Sequence, residues 1–163
     1  MLVSNGIDVI TSKYASSQSE APSLPREISA VIRGNKRVVI DIGGDDVGAR
    51  ALGRFHEDIK ESSSFSLIYL FSVFRPQTRT VADTAEHIRQ IELTSRQKVD
   101  FLINSSNLAS DTKIHHVEQS EGFAKKLAEY TKIPLLATLS LEAVSKEGYF
   151  QIKRFVKLPW ETD

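Results

Sequence analysis

The chain has 163 residues, of which 40% are hydrophobic and 26% charged, enough for one domain with a real core and too polar for a membrane-embedded fold. Lys and Arg number 21 and Asp and Glu 21, so the formal net charge is zero and no global field favours nucleic acid or an anionic membrane. The absence of cysteine excludes a disulfide framework, a thiol nucleophile and Cys-held zinc or iron–sulfur centres.

No apolar run approaches the ~18 residues of a membrane span. Ser4, Asn5 and Asp8 interrupt the N-terminal apolar stretch, which does not read as a secretory signal, and a cytoplasmic protein is expected. Residues 7–10 (IDVI) read as a strand, 12–25 as a Ser- and Pro-rich loop, and 24–33 as a helix. The β-branched run 38–42 (VVIDI) ends at Gly43-Gly44 and reads as a strand buried on both faces. Over 47–61, Ala51, Phe55 and Ile59 recur at helical spacing.

Residues 65–74 (FSLIYLFSVF) form the strongest predicted strand, stopped by Arg75-Pro76. A helix follows over 80–97, carried by Val81, Ala85, Ile88 and Ile91, then a strand over 99–103 and a polar loop over 104–112. Val117, Phe123, Leu127 and Tyr130 predict a helix over 114–131, broken near Gly122. A strand over 133–139, a short helix over 141–146 and an edge strand over 150–158 complete the chain.

Strands separated by helices of this length predict a parallel sheet with right-handed crossovers and helices on both faces. The expected fold is α/β, a three-layer α/β/α single domain over 1–163 with a mostly parallel sheet. In such sheets ligands bind beyond the carboxyl ends of the strands, and there the sequence turns unusual. Asp41 ends an apolar run and precedes Gly43, Gly44, Asp45 and Asp46. Such an Asp can hold magnesium through water, with Asp45 as a weaker second ligand, while the glycines admit a phosphate. The competing reading is a polar turn in which Asp45 or Asp46 caps the next helix.

Asn104 and Asn107 follow the 99–103 strand, and an Asn side chain can read the edge of adenine or satisfy its own turn. Ser140 follows the next strand and closes the same pocket if the two strands are neighbours. Arg75 and Arg79 bring two cations to the end of the central strand, for a phosphate, a partner or solvent. His115 and His116, adjacent on a helix, point about 100° apart, a poor arrangement for sharing one metal. Gly43 and Gly48 fit half of a phosphate-binding loop, but Ala49-Arg50 stands where Lys-Ser/Thr is required. There is no Walker A motif, and Lys153, Arg154 and Lys157 read as an exposed edge rather than a nucleic-acid surface.

The succession VVIDIGG, an apolar strand ending in Arg-Pro, VDFLINSSN and IPLLATL resembles the later part of SIMIBI-class P-loop ATPases, the group of the ParA/MinD-like proteins. It covers about residues 36–145, leaving 1–35 and 146–163 unassigned. The D-x-G-G-D-D-x-G-A-R-x-L-G-R segment is similar to that of ATP-binding proteins of this class. The resemblance implies a magnesium and switch segment at Asp41 and Gly44, adenine contact at Asn104 and closure over the base near Ser140, with Mg²⁺ and ATP as cofactors of the completed protein. It also implies that the first strand, P-loop and first helix are lacking, as in the C-terminal two-thirds of such a protein.

A Walker A loop supplies several N–H donors and a Lys, and hydrogen bonds to charged groups are worth ~1.5–3 kcal/mol each. The expected function is therefore an ATPase-like domain that neither binds ATP tightly nor turns it over alone. The alternatives are a non-enzymatic interaction scaffold of the same fold, and a magnesium-dependent phosphotransfer enzyme using Asp41, Asp45 and Asp46. An unpaired sheet side implies a homodimer or a P-loop-bearing partner.

Overall fold

The computed structural model describes residues 3, 6–10, 27–108, 111–141 and 146–153. They fall into two compact units, Met1–Phe65 with Thr94–Arg96, and Ser66–Leu93 with Gln97–Asp163. The expectations for 11–26, 142–145 and 154–158 lie outside the described residues.

In the first unit, helices α1 (Glu27–Ile32), α2 (Asp46–Gly53) and α3 (His56–Glu61) are short. Arg33, just past α1, donates from Nε to Asp58 of α3 over 2.6 Å and lies 3.2 Å from Glu61. A hydrogen bond from Ser29, aided by Arg33, holds the Asp58 carboxyl below its usual range against the opposing effect of burial. The predicted helix over 47–61 is two helices: after Gly53 the Arg54 and Phe55 amides reach back to Ala51 and Leu52 carbonyls in tight turns, and α3 restarts at His56. Neither predicted strand at 7–10 or 38–42 forms; both stretches are irregular. Val39 is 92% exposed. β-branched residues favour extended backbone, but a strand exists only through a partner that satisfies its amides and carbonyls.

The second unit is α/β. Strands β1 (Leu67–Phe71), β2 (Val99–Asn104), β3 (Leu135–Ser140) and β4 (Tyr149–Gln151) form a four-stranded sheet in the order β1-β2-β3-β4. Every neighbouring pair is parallel. Helix α4 (Val81–Ser95) links β1 to β2, and α5 (Ile114–Thr131) links β2 to β3. Gly122 does not break α5: a single exposed glycine costs about 1 kcal/mol against Ala, less than the packing of Val117, Ala124 and Leu127 on the same helix returns.

Strands added in one direction with right-handed crossovers put their helices on one face. The core has that arrangement. Tyr69, Phe71, Val99 and Leu102 of the sheet pack with Ile88 of α4 and Ala124 and Leu127 of α5. Phe71 meets Phe123 with ring centroids 5.7 Å apart. Side chains alternate along a strand, so Ile68, Leu70, Phe101 and Ile103 belong to the opposite face, where Ile68 pairs with Phe101 and Leu70 with Ile103.

Candidate functional site

The parallel register brings the strand ends of the second unit to a common rim. Phe71 of β1 stands beside Asn104 of β2, and Asn104 beside Thr138 of β3, two residues before Ser140. The Ser105 amide donates to the Phe71 carbonyl over 2.8 Å, carrying the pairing one residue past the strand. Asn104 and Ser140 are therefore residues of adjacent strand ends, and both are buried.

The Asn104 side chain is enclosed and used inside the protein. Its Nδ2 donates to Ser120 Oγ of α5 over 2.7 Å. Its Oδ1 accepts from the Ser106 hydroxyl at 2.6 Å and the Ser106 amide at 3.2 Å. Ser106 Oγ in turn accepts from the Val73 amide at 3.1 Å, and Ser120 donates onward to the Val117 carbonyl at 2.7 Å. One amide thus ties the end of β2 to α5 and, through Ser106, to the segment after β1. The sequence reading missed Ser106 and Ser120. Ser120 was accessible to it: with Val117, Ala124 and Leu127 it occupies the buried stripe of α5, where a hydroxyl demands a partner.

Asn107 is half-buried and donates from Nδ2 to the Ser105 carbonyl over 3.0 Å, a turn-closing bond. Arg75 and Arg79 are exposed at either end of a 3₁₀ turn, Pro76–Thr78. That turn is pinned by buried Thr78, whose hydroxyl donates to the Ser72 carbonyl over 2.6 Å. Phe74 packs edge-on against His116 with centroids 5.8 Å apart, so the loop after β1 meets the first turn of α5. The Lys113 amide donates to His116 Nδ1 over 3.1 Å, which leaves the neutral ring its proton on Nε2. The His115 and His116 rings lie 4.0 Å apart, closer than their spacing implied. Among the described residues no group of three or more His, Asp or Glu is arranged to hold a metal ion.

Asp41, Gly43, Gly44 and Asp45 belong to the first unit, the other candidates to the second. Asp41, Gly43 and Gly44 are exposed. Asp45, in extended backbone, caps α2 by accepting from the Gly48 amide over 2.8 Å. A Cβ at Gly48 would overlap the Gly43 carbonyl, so the loop closes tightly on itself. An aspartate at Asp41 retains a carboxylate open to water, the donor type that a hydrated magnesium accepts.

A groove of about 530 Å³ lies elsewhere in the second unit, between α4 and the end of α5. Ala85, Ile88, Val99 and Ile133 line it, with Glu86 and Lys98 at its margin. Val99 starts β2 and Ile133 precedes β3, so this hollow is at the amino ends of the strands, opposite the rim. Its charges are paired within the chain: Arg89 with Glu86 at 2.7 Å and Lys98 with Glu92 at 2.6 Å. Arg89 and Gln90 hydrogen bonds hold the Glu86 carboxyl down at about 2. Comparison with family models, with curated proteins and with solved structures returns no match.

Proposed function

We propose that the chain is an ATP-binding, ATPase-like domain of the SIMIBI class that lacks a phosphate anchor and does not turn over nucleotide alone. The observation that supports this reading is the parallel neighbourhood of β2 and β3, which sets Asn104 opposite Thr138 and close to Ser140 at the strand ends. Arg75 and Arg79 are exposed on the loop after β1, available to a phosphate. Asp41 is the residue for hydrated magnesium, and Gly44 the switch glycine. The sheet with α4 and α5 corresponds to two layers of a three-layer α/β/α fold.

A specific observation favours a second reading, the interaction scaffold. The Asn104 amide is spent on Ser106 and Ser120, and a base would have to compete with those bonds. Titration calorimetry with Mg·ATP, on the chain alone and with a Gly-rich Walker A segment fused ahead of residue 36, separates the two. The ATPase reading expects no heat from the chain alone up to millimolar nucleotide, and magnesium-dependent hydrolysis in the fusion that Asp41→Ala abolishes. Absence of turnover and of binding in a folded fusion overturns it in favour of the scaffold. Micromolar binding by the chain alone overturns the missing anchor.

A further inference from the structure

Of the four strands in the second unit, β4 is the least anchored. It has three residues, Tyr149–Gln151, and pairs with β3 at the end of the strand order. Its central residue, Phe150, is 62% exposed. Among the described residues no β4 side chain belongs to the core that Tyr69, Phe71 and Leu102 form with α4 and α5. Two backbone hydrogen bonds bracket its pairing: the Thr138 amide donates to the Gly148 carbonyl and the Ile152 amide to the Ser140 carbonyl, both over 2.8 Å.

A polar clasp ties this strand to the helical layer. The Tyr149 amide donates to the Lys146 carbonyl over 3.2 Å, closing a turn that leads into β4 through Gly148, whose φ of +83° favours glycine. The turn brings Lys146 and Tyr149 to one atom: Lys146 Nζ donates to Glu121 Oε2 over 2.6 Å, and the Tyr149 hydroxyl donates to the same oxygen over 3.1 Å. Lys125, one turn along α5, lies 3.0 Å from Glu121 Oε1 and fixes the orientation of the carboxylate. Elements with few buried apolar contacts open at lower free energy than the core, as cooperative units of their own.

We infer that β4 with its leading turn is a latch, opening and closing on the edge of β3 separately from the rest of the sheet, with Glu121 as its clasp. In the open state the Thr138 amide and the Ser140 carbonyl lose their β4 partners. Thr138 stands beside Asn104, so the latch acts on the backbone edge of the strand-end rim. The inference does not depend on nucleotide binding, because it rests on β3, β4 and α5 alone.

The test is native-state amide hydrogen exchange of the whole chain by NMR, under conditions where exchange reports the opening equilibrium. The Leu102 amide, bonded to the Pro134 carbonyl over 2.9 Å, is the reference for opening of the whole unit. The Thr138 and Ile152 amides are expected to be less protected than Leu102. Glu121→Gln and Lys146→Gln should each lower their protection severalfold, the scale for losing a charged hydrogen bond that is partly solvated. Ile88→Val, a mild change in the core, separates a latch from general unfolding. It should lower the protection of Leu102 and leave Thr138 and Ile152 unchanged, because Ile88 stays packed when β4 opens. Thr138 and Ile152 amides that follow Leu102 in Ile88→Val overturn the latch, and amides indifferent to both clasp variants overturn the role of Glu121.

Discussion

Ser106 delivers both its hydroxyl and its backbone amide to the one Oδ1 of Asn104, at 2.6 and 3.2 Å. This double donation turns a residue of the candidate base site into the clamp of the rim. Asn104→Ala leaves the buried hydroxyls of Ser106 and Ser120 short of partners, each costing ~1–3 kcal/mol. A loss of about 2–4 kcal/mol is expected in urea unfolding. Ser120→Ala, which removes one arm, is expected to cost about 1 kcal/mol. A loss no larger for Asn104→Ala than for Ser120→Ala would show that the clamp does not act as a unit.

Gly48 gives a test of sign. Glycine to alanine inside a helix ordinarily stabilises by ~0.4–1 kcal/mol, but here the new methyl overlaps the Gly43 carbonyl. Gly48→Ala is therefore expected to lower stability, while Gly122→Ala, where a Cβ meets nothing, raises it. Thermal melts of the two variants should move in opposite directions.

Glu121 gathers Lys146 at 2.6 Å, Lys125 at 3.0 Å and the Tyr149 hydroxyl at 3.1 Å, joining α5 to the approach to β4. The Lys146 and Lys125 hydrogen bonds lead in holding its carboxyl at about 2, down from 4.5. A depressed folded value means that the unfolded chain binds the proton first as pH falls. The stabilisation is complete above about pH 4.5 and lost between there and about pH 2. In Glu121→Gln that portion of the acid-unfolding dependence should vanish, and an unchanged profile would rule the node out.

Tyr69 provides the alkaline counterpart. Burial pushes its phenol up to about 12 from 10.0, and it shares a 2.6 Å hydrogen bond with His87 Nδ1. Because the unfolded phenol ionises first, its contribution is intact below about pH 10 and is lost as pH rises toward 12. Absorbance titration should show a late component near pH 12 that Tyr69→Phe removes.

Local pattern carried much of the second unit. The apolar run at 65–74 contains β1, those at 99–103 and 133–139 cover all but the last residue of β2 and β3, and the helical spacing of Val117, Leu127 and their neighbours located α5. The same logic failed at 38–42, where the most β-branched run of the chain forms no strand. It also joined α2 and α3 across a break, because the 3.6-residue rhythm of Ala51, Phe55 and Ile59 survives the tight turn at Arg54. For the site, residue types and strand ends were readable. The occupation of the Asn104 amide by Ser106 and Ser120 was not, since Asn104 and Ser120 are 16 positions apart and meet only when α5 folds onto β2.

What the sequence by itself determined is, in the second unit, the alternation of strands and helices and the polar strand ends at Asn104 and Ser140, because hydrophobic period and turn chemistry act within a few residues. The order of the strands was decided only in three dimensions. Adding β2, β3 and β4 in one direction puts α4 and α5 on a single face and leaves the face of Ile68 and Leu70 without either. No local pattern distinguishes that arrangement from one with helices on both sides, since a doubly buried strand and a strand with one bare apolar face have the same apolar composition.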